Sequence, residues 1–194
     1  MKYFSFLVTI LVGLGFFADA KTAKKGDSVE STEIAYLAGG CFWGMEDLLR
    51  KIPGVVAVEV GYMGGTTKNA TYNIVKTGTT NHAETVKVVF DPKKLKYEDL
   101  LLHFFKIHDP TTANRQGNDV GTQYRSAIFY TSQTQKEDAE RVKTRVDKSG
   151  AWKAPVVTQI VPAGEFWKAE EFHQDYLQKN PGGYTCHFER NIQF

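Results

Sequence analysis

Between residues 34 and 130 the chain changes its apolar period in the order strand, helix, strand, strand, helix, strand, and that order narrows the available folds more than any other feature. A short apolar run at 34–38 ends on Gly39-Gly40, which predicts a buried strand and a tight turn. From Cys41, the residues Phe42, Met45, Leu48, Leu49 and Ile52 fall at helical spacing until Pro53-Gly54 stops them. Valine-rich strands are expected at 55–62 and 84–90, separated by a Gly- and Thr-rich loop at 64–81. A helix over 97–108 carries Leu100, Leu101, Phe104 and Phe105 on one face, and a fourth strand follows a polar loop at 124–130. Beyond this core come a charged surface helix at 133–149, a strand at 156–161 and a last helix at 168–179. From Asn180 the tail is Gly-rich and aperiodic. The expected fold is α+β: a ferredoxin-like split β-α-β sandwich with an antiparallel-rich sheet, helices on one face, and an irregular C-terminal tail.

The leader adds a destination. Lys2 precedes an apolar run from Tyr3 to Phe17, and Ala18-Asp19-Ala20 supplies small residues at a cleavage position. Residues 1–20 are expected to be a secretory signal removed before Lys21. The rival, an uncleaved anchor, would need a spanning run of roughly 20 apolar residues. Residues 21–33 are polar and aperiodic, a disordered lead-in, and residues 34–194 form one domain. Lys and Arg number 24 and Asp and Glu 22, without long runs of either sign, so neither a nucleic-acid surface nor a polybasic membrane patch is expected. The expected location is exported, in a periplasm or, alternatively, secreted, with no stable membrane association after cleavage.

Only two cysteines, Cys41 and Cys186, are present, so a disulfide scaffold is excluded and the core must hold the fold. Cys41 stands at the first turn of a helix, where free backbone N–H groups and the helix dipole favour a thiolate and lower the thiol pKa. Phe42 and Trp43 cannot both face the core from consecutive helix positions, so one or both should border the opening that holds the sulfur. Two cysteines in an exported chain commonly form a structural bridge, and closing 145 positions would stabilise the fold by roughly 4–5 kcal/mol. Cys186, however, lies in the mobile-looking tail, a poor staple but a good partner thiol. Counting favours a staple, and placement favours redox chemistry.

Polar groups that could serve such a thiol stand at three further places in the sequence. Glu84 opens a valine-rich strand after Asn81-His82-Ala83, where apolar neighbours could raise its pKa and make it an acid. The loop 114–126 is dense in hydrogen-bonding groups, and His173 and Tyr176, three apart on the expected last helix, share a face. None of the five histidines has metal-ligand spacing, so no metal is expected.

Five ordered motifs then resemble the A-class peptide methionine sulfoxide reductases: Gly40-Cys41-Phe42-Trp43-Gly44, Gly61-Tyr62-Met63-Gly64-Gly65, His82-Ala83-Glu84, residues 116–126 and residues 169–177. The resemblance implies reduction of the S epimer of methionine sulfoxide, free or in proteins. It implies that Cys41 is the attacking thiolate and Glu84 the acid that protonates the sulfoxide oxygen, with Tyr72 and Tyr124 as hydroxyls holding that oxygen. Phe42 and Trp43 would seat the substrate methyl, Asp119 would position the substrate, and His173 and Tyr176 would support the binding site. Cys186 would be the resolving thiol, condensing with a Cys41 sulfenic acid to a bridge that an external dithiol, thioredoxin or an equivalent, reduces. No bound cofactor is implied, and a monomer is expected.

The chain departs from the family pattern at three places. Asn81 stands where a glycine is usual, Phe172 where tyrosine is frequent, and the single tail cysteine is followed by His187-Phe188-Glu189-Arg190. The first two should be tolerated, and the third implies a single-resolver cycle. An idle binding domain with a permanent Cys41–Cys186 staple would not need the Cys41, Glu84, Tyr72 and Tyr124 set. A thiol hydrolase lacks an orienting partner for a catalytic histidine.

Overall fold

A computed structural model describes residues 31–194, together with Met1 and Tyr3. The rest of the expected signal at 1–20, and the lead-in up to residue 30, lie outside the described residues. Among the described residues no helix is long and apolar enough to cross a membrane.

The elements run β1 (Glu33–Gly39), α1 (Phe42–Leu49), β2 (Val55–Met63), α2 (Tyr72–Val75), β3 (Ala83–Phe90), α3 (Tyr97–Ile107), β4 (Arg115–Gln116) and β5 (Asp119–Val120). A 3-10 turn at Thr122–Tyr124 leads into β6 (Ser126–Tyr130), α4 (Gln133–Lys148), β7 (Gln159–Pro162), β8 (Trp167–Lys168) and α5 (Tyr176–Lys179). Six strands form one sheet in the order β7-β6-β1-β3-β2-β8, and β4 with β5 forms a separate ribbon. Every pairing in the large sheet is antiparallel except β6 with β7. That parallel pair is joined through α4, the crossover that parallel strands require. The fold is mixed helix and sheet, with a mostly antiparallel sheet.

Strand alternation divides the sheet into two faces. Leu37, Val60, Val86, Val88, Phe90 and Ile128 pack against Phe42, Met45 and Leu49 of α1 and Leu100, Leu101, Phe104 and Phe105 of α3. The opposite face carries the smaller cluster of Ala38, Met63, Ala83, Ala127 and Phe129, covered by Tyr36, Val161, Ala163 and Phe166. Glu84, two residues before Val86, falls on the helix side of β3. That parity brings its carboxyl to the start of α1.

The last helix expected at 168–179 is corrected: only Tyr176–Lys179 is helical. Trp167 and Lys168 instead pair with Tyr62 and Gly61 on the edge of β2. The buried Gln174 amide then extends this pairing, accepting from Val60 N–H at 3.0 Å and donating to the carbonyls of Val60 and Ala169 at 2.9 Å each. Asp175 turns the chain at φ +56°. Thus His173 and Tyr176 do not share a helix face. The strand expected at 124–130 begins at Ser126, and that expected at 156–161 runs Gln159–Pro162.

The tail beyond Asn180 has no regular structure, but it is docked. His187 is buried, and Arg190 donates its N–H to Lys106 O at 3.1 Å and lies over the Trp152 ring. The tail that looked mobile in the sequence is docked as a strap.

Candidate active site

The turn that presents Cys41 is built from glycine. Gly40 sits at φ +109°, and a β-carbon there would collide with the Gln116 side chain and lie 3.1 Å from His187 Nε2. Cys41 is the N-cap residue of α1, with φ −53° and ψ 120°, and is 7% exposed. Phe42 N–H donates to Glu84 Oε2 at 3.0 Å, and Trp43 N–H faces the Cys41 sulfur. Burial, then the neighbouring Glu84 charge, holds the Cys41 thiol well above its ordinary value, against the pull of the Trp43 amide. The lowered thiol pKa expected from the helix position is corrected: one eight-residue helix does not offset burial beside a carboxyl.

Glu84 is 4% exposed, and burial, with the Asp119 charge adding to it, pushes its carboxyl up to about 8 although the Phe42 amide opposes the shift. At neutral pH it holds a proton. A raised carboxyl among apolar neighbours is what its place at the start of β3 suggested.

A cavity of about 170 Å³ opens over these two groups. Cys41, Phe42 and Trp43 line it from α1, Tyr72 from α2 and Glu84 from β3, while Asp119, Tyr124 and Tyr184 close it from the loops and tail. Seven of these were expected from the sequence. Phe42 and Trp43 both border the cavity, Phe42 with its ring packed 5.8 Å from Tyr62 as well. Burial, and next the Glu84 charge, raises the Tyr72 and Tyr124 hydroxyls above the ordinary phenol value, so both remain donors.

The supporting contacts explain these positions. Glu170 takes the Tyr72 N–H at 2.9 Å and the Tyr62 hydroxyl at 3.0 Å, which fixes the start of α2. In the β4–β5 ribbon, Asp119 pairs with Gln116, and Gln116 packs over Gly40. Asp119 Oδ2 accepts the Tyr184 hydroxyl at 3.1 Å and the Cys186 thiol at 3.4 Å. Asn81 lies at φ +58°, the left-handed region where asparagine is the common substitute for glycine, so its departure from the family pattern has a backbone reason.

His173 and Tyr176 do not line the cavity; they stand behind its Trp43 wall. Trp43 Nε1–H donates to His173 Nδ1 at 3.0 Å, and the Tyr176 ring stacks on Trp43 at 3.7 Å and 13°. Cys186 also lies outside the lining, free like Cys41 and joined to the cavity through Asp119. Sequence reasoning missed Tyr184 and Glu170. Tyr184 lies two residues before the second thiol, and Glu170 falls inside the motif at 169–177. Among the described residues no cluster of three or more His, Cys, Asp or Glu is placed to hold a metal ion.

A buried thiol sharing a cavity with a proton-holding carboxyl and two phenols, with a second thiol strapped beside it, defines a thiol-dependent oxidoreductase. Residues 33–193 match the family model described as peptide methionine sulfoxide reductase, and the chain belongs to that family. It is 60% identical over 160 residues to the peptide methionine sulfoxide reductase MsrA 1 of Mesorhizobium japonicum, covering 82% of this chain and 91% of that one. Among solved structures it is similar to Mxr1 from Saccharomyces cerevisiae in reduced form, with a TM-score of 0.79 and 38% identity, over 88% of this chain and 97% of that one. Mxr1 in complex with Trx2 aligns with a TM-score of 0.58 and 28% identity, over 88% and 96% of the two chains.

Proposed function

We propose that the protein reduces the S epimer of methionine sulfoxide through Cys41, with Glu84 as acid. The observation that carries this reading is the division of one helix N-terminus between the two groups. The Phe42 amide holds the carboxyl and the Trp43 amide faces the sulfur. A sulfoxide sulfur becomes electrophilic as its oxygen gains a proton. In the small cavity, Glu84 gives that proton while the Tyr72 and Tyr124 hydroxyls hold the oxygen, and Cys41 attacks the sulfur. The Cys41 thiol proton replaces the one Glu84 has given; the bond formed between the two sulfurs then breaks as the oxygen passes from the substrate sulfur to the Cys41 sulfur, so methionine leaves and Cys41 is left as a sulfenic acid. Phe42 and Trp43 seat the methyl group, Asp119 positions the substrate, and His173 and Tyr176 hold Trp43 in place.

Cys186 resolves the sulfenic acid to a Cys41–Cys186 disulfide with loss of water, and an external dithiol reduces that bridge. The Trx2 complex of the yeast relative supports a thioredoxin in this role. The two thiols, Cys41 and Cys186, can together supply the two electrons of the reduction, which supports an enzyme that needs no bound cofactor, and we read it as a monomer. The neighbour order β6-β1-β3-β2, with α1 and α3 as connections, supports the ferredoxin-like description of the core. The apolar leader supports export, to a periplasm or outside the cell.

The test is an assay of the mature chain with S-epimer methionine sulfoxide and dithiothreitol. Turnover is expected in wild type and none in Cys41→Ser. Absence of turnover in wild type removes the reading. Cys186→Ser should stay active with dithiothreitol and lose activity with thioredoxin, and equal activity with both reductants removes Cys186 as resolver.

A further inference from the structure

The histidine that directly follows the second thiol has no part in the cycle above. His187 is buried, and its Nε2 lies 2.8 Å from the carbonyl of Gly39. A carbonyl only accepts, so Nε2 carries the ring proton and Nδ1 is a bare lone pair. Burial lowers the affinity of the ring for a second proton and keeps the imidazole neutral at rest. Nδ1 sits 3.5 Å from Cys186 Sγ.

The ring also rests on the segment that carries Cys41. A β-carbon on Gly40 would lie 3.1 Å from His187 Nε2, and one on Gly44 would lie 2.7 Å from Nδ1. The same imidazole therefore touches the second thiol and both glycines that flank Cys41, Phe42 and Trp43.

Cys186 needs help to ionise. Burial, and after it the Asp119 carboxylate that takes its hydrogen bond, pushes the thiol up to about 11. At pH 7 such a thiol is ionised to only about one part in 10⁴. Two acceptors face it. Asp119 Oδ2 is already shared with the Tyr184 hydroxyl, whereas the Nδ1 lone pair of His187 is the second acceptor within reach of the sulfur. The Asp119 charge near His187 also favours the imidazolium that proton transfer creates.

We propose that His187 is the general base of the resolving step, drawing the Cys186 proton onto Nδ1 as the sulfur attacks the Cys41 sulfenic acid. The Cys41 sulfur–oxygen bond breaks and the Cys41–Cys186 sulfur–sulfur bond forms. Cys186 is oxidised and the Cys41 sulfur is reduced. Hydroxide leaves and takes the proton back from the imidazolium, so one water is released and His187 ends neutral. The step rests on Cys186 being the resolving thiol.

The test mixes fully reduced protein rapidly with one equivalent of S-epimer methionine sulfoxide. Methionine release and disulfide formation are read from the same quenched samples. In His187→Ala the ratio of the disulfide rate to the methionine rate should fall about 100-fold, and the sulfenic acid should accumulate and be trapped by dimedone. Free imidazole should recover at least about tenfold of that loss, since it can occupy the vacated space as a base. His187→Gln, able to keep the Gly39 bond but unable to take a proton, should show the same loss. A ratio equal to wild type in either variant, or a loss in His187→Ala that imidazole leaves untouched, overturns the proposal. Thioredoxin-supported turnover of Cys186→Ser at the wild-type rate would instead remove the resolving-thiol reading, whatever His187 does.

Discussion

The Phe42 N–H donates to Glu84 Oε2 over 3.0 Å, which commits the first amide of α1 to the acid and leaves the Trp43 amide to face the nucleophile. The two groups are thereby held to one helix end, where burial and then the Glu84 charge discourage ionisation of Cys41. Burial, with the Asp119 charge adding to it, likewise keeps the Glu84 carboxyl protonated up to about pH 8. A proton thus stays available for the sulfoxide oxygen.

Glu84 should link activity and stability to pH in opposite senses when replaced. Its folded value of about 8 exceeds the ordinary 4.5, so the folded state keeps a proton that the unfolded chain releases. The stability associated with this group is fully present below about 4.5. It is lost by about 1.4 kcal/mol per pH unit through the middle of the window and levels off above about pH 8. Glu84→Gln removes that loss, and its Oε1 can still accept from Phe42 N–H. The variant should therefore melt higher than wild type at pH 8 while reducing sulfoxide about 10²- to 10⁴-fold more slowly. The wild-type rate should decline above about pH 8 as the acid ionises. Melting curves and rate profiles from pH 5 to 9 check both.

The Trp43 wall is held from behind at two points, and each should be separable. Removing the Tyr176 ring forfeits a stacked pair worth about 0.5–1.5 kcal/mol, so Tyr176→Ala should raise KM for the sulfoxide about 2- to 10-fold and change the fluorescence of Trp43. His173 accepts the indole N–H at Nδ1, and burial lowers its pKa, which keeps that lone pair free at neutral pH. His173→Phe leaves the indole N–H unpaired and should cost about 1–3 kcal/mol of stability. Steady-state kinetics and thermal unfolding measure the two effects. An unchanged KM in Tyr176→Ala would mean that Trp43 does not need its partner.

The early strands and the two core helices were legible because period and stop signals agreed: Pro53-Gly54 follows shortly after α1, which already ends at Leu49, and Asp91-Pro92 closes β3. Cys41, Glu84 and the aromatic pair were legible for the same reason, since each lies where one such element meets a loop. The segment 168–179 misled because Phe172 and Tyr176 keep helical spacing. Yet Phe172 is 63% exposed, and the side chain of Gln174 satisfies the β2 edge in place of backbone. The direction of the Cys41 shift was hidden too, because local sequence shows a helix start but not the burial or the carboxyl opposite it. Tyr184 was hidden because only Asp119, 65 positions earlier, tells which tail residue faces the cavity.

Gly44 should separate the two halves of the cycle. A β-carbon there would collide with Thr185 Oγ1 and approach His187 Nδ1 to 2.7 Å, so the strap must shift. Alanine also favours the helix over glycine by up to about 1 kcal/mol, which offsets part of the cost to the fold. Gly44→Ala should release one methionine per chain in a single turnover, yet form the Cys41–Cys186 bridge more slowly and lose thioredoxin-supported turnover. Quantifying methionine and disulfide in the same quenched samples checks this. A bridge formed at the wild-type rate would show that the strap tolerates the extra carbon.

Asp119 couples the cavity to the strap, and its charge has a readable effect on the second thiol. Its Oδ2 holds both the Tyr184 hydroxyl and the Cys186 thiol, and after burial it is the main reason that thiol stands near 11. Asparagine keeps an oxygen for one of the two donors but removes the negative charge. In a Cys41→Ser background, Asp119→Asn should therefore shift the pH midpoint for alkylation of Cys186 downward from about 11, speeding its reaction with iodoacetamide at neutral pH. The same substitution in the otherwise native chain weakens the tether of Tyr184 and should raise KM for the sulfoxide. A more reactive second thiol in a less efficient enzyme is the expected pair of results. An alkylation midpoint that stays put would show that burial alone, and not the Asp119 carboxylate, sets the Cys186 proton.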